Sequence, residues 1–166
     1  MLSDHIARLF ALRYLGNLAK DAIVDWALAE LEVGRDSESL RILAGMRDHP
    51  YPTEVELYFF RALKELEIET PDKAQALNSY CRFIAEQIVN SSITPRNGCK
   101  ELYWVYRSLD YPSELLDWLL LAEGLDPQTN VPLNSQQCDA AVTRQANELL
   151  KQNPLFSRSR FLESNS

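Results

Sequence analysis

Glycine is scarce in this sequence, with five residues in 166. So little of it argues against a turn-dense β architecture and against a backbone loop that cradles phosphate. Neither GxGxxG nor the GxxxxGK signature followed by Ser or Thr occurs, so the dinucleotide-binding and P-loop classes drop out. Histidine is rarer still: His5 and His49 are the only two. Neither has a cysteine or carboxylate at metal-ligand spacing, and no HExxH is present, so no zinc site is expected.

The three cysteines, Cys81, Cys99 and Cys138, are odd in number, widely spaced and free of any CxxC arrangement. Each falls among apolar neighbours in a helical pattern, where a free thiol behaves as a small hydrophobe, and a reduced cytoplasmic setting follows. No Gly-x-Ser-x-Gly turn exists and no cysteine sits at a basic helix N-terminus, so neither a Ser-His-Asp nor a Cys-His arrangement is expected. "DPQTN" (126–130) has acidic and amide oxygens but not the glycine and terminal glutamate of a calcium loop. The longest near-apolar run, "LLDWLLLA" (115–122), contains Asp117 and is too short to span a bilayer. The start, "MLSDHIARLF", carries Asp4 and Arg8 and no cleavable apolar core, unlike a signal peptide. The expectation is a cytoplasmic protein with no membrane segment, no catalytic constellation, no metal and no cofactor.

What the sequence does contain is acid and helical periodicity. Its 24 acidic and 17 basic residues give a formal charge of −7. Residues 1–126 hold 21 acids against 13 bases, and residues 127–166 hold 3 against 4, so the body is acidic and the tail is not. Such a surface repels phosphate backbones, which disfavours nucleic acid and favours a basic protein partner; solubility alone also accounts for it. Close glutamates such as Glu30 with Glu32 and Glu54 with Glu56 point in different directions on a helix, as a solvated face does.

Apolar residues recur at helical spacing nearly everywhere, and no strand is expected. A first helix has Leu2, Ile6, Leu9 and Phe10 on one side and Gly16 at its end. A second, from about Ala19 to Val33, buries Ile23, Trp26, Ala27 and Leu31 and stops at Gly34. Asp36 or Ser37 caps a short third helix ending near Gly45. Pro50 and Pro52 punctuate the start of a fourth, with Val55, Phe59, Ala62 and Leu66 as its main stripe. Leu57 and Phe60 lie on its far side, which suggests a central position. "TPDK" (70–73) puts Thr70 at the cap and Pro71 at the first position of a fifth helix, and "TPRN" (94–97) repeats that start for a sixth. "YPSE" (111–114) opens a seventh, apolar nearly all round and so internal or at an oligomer interface. "LNSQQ" (133–137) caps an eighth. The reading is all-α: a compact bundle or short solenoid-like array of about eight helices joined by short Pro/Gly/Thr-capped loops, forming one domain over 1–152. Residues 153–166 form a tail, mobile or partly docked through its aromatic residues.

Two surface features invite a partner. "LYWVY" (102–106) lies on the sixth helix, where Gly98, Leu102, Val105, Tyr106 and Leu109 make one stripe, and Trp104 projects about 160° from Leu102. Flanked by Lys100 and Arg107, it is either covered by their stems or an exposed aromatic of the kind favoured in interface hot spots. "ELEIETPD" (65–72) sets Glu65, Glu67, Glu69 and Asp72 at the C-terminal end of the fourth helix, where negative charge opposes the helix dipole.

"LAKDAIVDWALAELEVGRDSESLRILAGM" (18–46) and "FIAEQIVNSSITPRNGCKELYWVY" (83–106) resemble small all-helical bacterial proteins of uncharacterised function, some found in toxin–immunity contexts. That resemblance implies a cytoplasmic helical domain without cofactor. An immunity role would mean blocking a toxin, often a basic nuclease, through an acidic face. The expectation is therefore a non-enzymatic interaction domain that binds a basic protein, with Trp104, Glu65, Glu67, Glu69 and Asp72 as contacts. One alternative is a small-ligand-binding or enzymatic domain with an inter-helix pocket near Tyr103, Tyr106, His49 and Cys99. Another is a self-assembling subunit, such as a homodimer through the seventh helix.

Overall fold

Local chemistry starts several of the helices where side chains can satisfy the free amides of the first turn. The Ser37 hydroxyl accepts from the Leu40 amide at 3.2 Å, and Thr94 Oγ1 accepts from the Asn97 amide at 3.3 Å. Asn134 and Gln137 form a reciprocal capping box at 2.9 and 3.0 Å. Pro52 and Pro95 occupy first-turn positions, where a missing N–H costs nothing.

The computed structural model describes residues 4–152 and 154–161; Leu2 and Leu162 lie outside them. The described residues are all-α, with eight α-helices and no strand; a single β-bridge joins Leu125 and Pro132. No helix among them is long and apolar enough to cross a membrane. Chain contacts group into two units, Met1–Ala76 and Leu77–Ser166.

The first unit contains α1 (Asp4–Tyr14), α2 (Lys20–Glu32), α3 (Glu38–Ala44) and α4 (Pro52–Glu65). α2, α3 and α4 pack on one another, and α1 packs on α2. Phe10 of α1 brings its ring within 6.0 Å of both Phe59 and Phe60 of α4. Trp26 of α2 stands edge-on to Phe59 at 5.1 Å, and both are fully buried. The Trp26 indole nitrogen has no hydrogen-bond partner among the described residues. Lys20, at the first position of α2, ties down the loop before α4 by donating to the carbonyls of Arg47 and His49 at 2.6 and 3.0 Å. α4 is not buried on both faces: Phe60 is half-buried, but Leu57 is 48% exposed. Its apolar far side reaches solvent because the rest of the first unit's core lies along Val55, Phe59, Ala62 and Leu63.

α5 (Lys73–Val89) crosses the division between the units. The second unit continues with α6 (Pro95–Ser108), a 3-10 turn at Ser113–Leu115, α7 (Leu116–Ala122), α8 (Ser135–Lys151) and a second 3-10 turn at Arg158–Phe161. α6, α7 and α8 pack on one another. α5 lies close against α6 where Gly98 meets Ile88. The Arg82 guanidinium of α5 donates to the Leu150 carbonyl at 3.0 Å, satisfying an acceptor in the last turn of α8. Phe156 is buried and exchanges two hydrogen bonds with the Asn78 amide, at 2.7 and 2.9 Å. α7 buries Trp118 and Leu121 on one side only, next to buried Leu115 of the preceding turn; Leu119 and Leu120 are half-buried and Leu116 is 45% exposed.

α5 begins at Lys73, not at Pro71. Its N-cap is Asp72, whose carboxylate accepts from the Gln75 amide at 2.8 Å while Gln75 Oε1 accepts from the Asp72 amide at 3.0 Å. The reciprocal box satisfies two amides, and it outcompetes the Thr70-Pro71 start, which would leave the first-turn amides to one hydroxyl.

His5 of α1 is partly buried, and that burial, reinforced by the Arg8 charge, lowers its pKa below 6.5 despite opposing Glu30 and Asp25. Above that pH the ring is neutral in both states. As the pH falls through 6.5 the unfolded chain takes up a proton that the folded protein resists, so stability falls until the folded pKa is reached. Urea unfolding should show this loss starting below pH 6.5. In His5→Gln the slope in that window should shrink; an unchanged slope would show that His5 does not carry it.

Candidate functional site

Glu65 occupies the last position of α4, where its charge opposes the dipole of its own helix. Its carboxylate reaches across to α3 instead, accepting from the Ser39 hydroxyl at 2.6 Å and the Ser39 amide at 2.9 Å. Ser39 is the second residue of α3, so Glu65 places its charge at the favourable end of a neighbouring helix. Donation from the Ser39 hydroxyl, then from Ser37 and the Ser39 amide, holds the Glu65 carboxyl below its ordinary value. This contribution is complete above pH 4.5 and is lost as the pH falls through the folded pKa, below the window set by His5.

The turn after α4 holds the next acid. Leu66 is the C-cap, and Glu67 follows with φ +53°, in the left-handed region. The Ile68 amide returns to the Leu63 carbonyl at 2.9 Å and the Glu67 amide to Lys64 at 3.2 Å, the two bonds of a Schellman motif. Gly16 holds the corresponding position after α1, with φ +73°. Glu67 therefore adopts a backbone shape that favours glycine, and this turn fixes its direction. Glu67 and Glu69 are both exposed, and neither forms an ion pair among the described residues. Glu67→Gly should raise stability by about 0.5–1 kcal/mol by removing left-handed strain. Asp72→Ala should lower it by about 1 kcal/mol through loss of the α5 cap. Urea midpoints measure both; a destabilised Glu67→Gly would contradict the turn assignment.

The four acids of the strip therefore divide. Glu65, although exposed, and half-buried Asp72 cap helices of the chain itself, whereas Glu67 and Glu69 are exposed and cap nothing. The surrounding unit shows the same division on a larger scale. Residues 1–76 carry 14 acids and 9 bases. Arg13, Arg35, Arg41 and Arg47 are engaged by Glu56, Glu30, Asp36 and Asp25, and His49 pairs with Glu54 at 2.9 Å. Four of the unit's nine Lys and Arg residues are thus held by its own acids.

Trp104, in the second unit, is half-buried. Arg107 turns its guanidinium over Tyr103, 6.0 Å from the ring centroid, and Tyr103 in turn stacks on buried Tyr106 at 6.3 Å. Of the residues suggested for an inter-helix pocket, Cys99 borders a cleft in the second unit. His49 belongs to the first unit, with its Nδ1 accepting from the Tyr51 amide at 3.3 Å.

That pocket is a cleft of about 470 Å³ between α6, the end of α7 and the start of α8. Its floor is apolar: Leu121 and Val142 are buried, and Cys99 and Cys138 enter from α6 and α8. Both thiols point at the carbonyls of α7, Cys99 at Trp118 (3.9 Å) and Cys138 at Leu121 (3.7 Å). Burial, with a smaller contribution from Cys138, pushes the Cys99 thiol up to about 12, and burial alone pushes Cys81 to about 12. At neutral pH these two are thiols, not thiolate nucleophiles. Arg96 and Lys100 stand on the α6 wall, and Glu123 and Asp139 on the facing walls. Among the described residues no three of His, Cys, Asp and Glu gather as metal ligands. Spacing alone shows Arg96 and Lys100 one turn apart beside Cys99, but their confrontation with Cys138 and Asp139 comes only from tertiary packing.

Comparison with known proteins adds no relative: no family model matches the chain, and neither does any curated protein or solved structure.

Proposed function

We propose that the chain is a non-enzymatic α-helical interaction domain that binds a basic protein, with an immunity-type pairing to a basic toxin as its specific form. The observation that carries this reading is the pair Glu67 and Glu69, exposed and without ion pairs among the described residues, with Glu67 on a turn of fixed geometry and Glu69 two residues beyond it. An ordered charge costs less to bring into a complex than one on a floppy loop, because the partner does not have to immobilise it. The excess acid of residues 1–76 adds a long-range field that draws in a cationic partner and speeds encounter. In this reading Glu65 and Asp72 do not touch the partner; they hold the helices on either side of the turn. Half-buried Trp104, on the second unit, is a separate aromatic contact that this reading does not need.

The test is capture from the native host on immobilised protein at low ionic strength, followed by elution with salt and mass spectrometry. A basic protein that elutes as salt rises supports the proposal, because surface attraction is screened within about 10 Å at 0.1 M salt. Capture of no basic protein under any salt condition contradicts it.

A further inference from the structure

The charges around the cleft are sorted by wall. Both cations, Arg96 and Lys100, lie on α6, and both carboxylates come from elsewhere: Glu123 from the end of α7 and Asp139 from α8. None of the four forms an ion pair with another or with any other described residue. Opposite charges therefore line different walls of a cleft of about 470 Å³ and are not paired with one another. Between them lies an apolar floor of Leu121, Val142 and the two thiols. The gap lies within the roughly 300–1,000 Å³ of small-molecule sites, which pair an apolar lining with a few polar groups that set orientation.

We propose that this cleft binds a zwitterionic ligand with an apolar side chain, of the size of an amino acid or dipeptide. Its carboxylate meets Arg96 and Lys100, its ammonium meets Glu123 and Asp139, and its side chain lies over Leu121 and Val142. A ligand with one charge satisfies one wall and leaves the other facing empty space. A zwitterion bridges both, and each charge-assisted hydrogen bond then adds to the same binding event. The inference is independent of the acidic turn, which belongs to the other unit.

The experiment is isothermal titration of the full chain with L-leucyl-L-leucine and with L-leucine. N-acetyl-L-leucine tests the carboxylate alone, and L-leucinamide the ammonium alone. At least one zwitterion should bind with one-site stoichiometry, and each single-charge analogue should bind about tenfold or more weakly than it. Lys100→Gln should remove the preference over leucinamide, and Glu123→Gln the preference over N-acetyl-leucine. Both positions are exposed, so the variants should fold like the parent, with circular dichroism as the check. Absence of binding by either zwitterion at millimolar concentration would overturn the proposal. So would equal binding of the single-charge analogues, or affinities that ignore both substitutions.

Discussion

Gly98→Val should destabilise the protein by about 3 kcal/mol, near the top of the range for overpacking a filled core. Gly98 is buried in α6 where that helix meets α5. A side-chain carbon there would fall inside van der Waals contact of Ile88 Cγ1 and Cδ1, and 3.2 Å from Ile93 Cδ1. Ile88 is 2% exposed and β-branched, so its rotamer cannot swing clear without disturbing other neighbours. Gly98→Ala should lose less, because alanine returns about 1 kcal/mol of helix propensity against the same clash. Combining it with Ile88→Ala gives the sharper check. The cavity left by Ile88 accommodates the new methyl, so the double variant should be more stable than the sum of the two losses by about 1 kcal/mol. Additive losses would place the two helices farther apart than they are here.

Phe59→Ala should be costlier still, about 4 kcal/mol, within the range for removing a buried phenylalanine. Phe59 has no exposed surface, and its ring meets Phe10, Trp26 and Phe60 at centroid distances of 6.0, 5.1 and 5.6 Å. It joins α1, α2 and α4, so no single helix can relax into the space it leaves. The hole would open beside the Trp26 ring, whose unpartnered indole nitrogen offers an entering water a donor. Tryptophan emission should therefore shift to the red in the folded variant, while Phe59→Leu keeps the parent spectrum and loses about 1.5 kcal/mol. A loss well under 2 kcal/mol for alanine would mean that the site collapses, contrary to the three-helix arrangement.

Helix starts were legible in the sequence because capping is local. Ser37, Pro52, Thr94 with Pro95, and Asn134 each act within four residues. Helix ends were harder to place. Gly16 and Gly34 announce theirs, but Glu67, Ser91 and Asp110 take left-handed conformations without glycine, so the end of α4 carries no compositional mark. "TPDK" carried two valid start signals, and only the Gln75 partner of Asp72 decided between them.

The candidate sites were less legible. Glu65 meets Ser39 from 26 residues away, and no local rule connects them. The apolar far side of α4 suggested a central position, yet Leu57 faces solvent, and Leu116 of α7 is 45% exposed within the chain. Periodicity gives the phase of a helix, whereas the neighbours that cover each face are a tertiary property. The same limit hid the cleft, whose walls come from three segments of the second unit.

The division of the acidic strip into helix-capping carboxylates (Glu65, Asp72) and charges with no ion pair (Glu67, Glu69) makes one measurement decisive. It is the binding kinetics of the captured basic partner with Glu67→Gln/Glu69→Gln at low salt. The proposal predicts association slowed about fivefold to tenfold, dissociation nearly unchanged and an undiminished unfolding midpoint, as for exposed charges that steer encounter. Association as fast as that of the parent would contradict it.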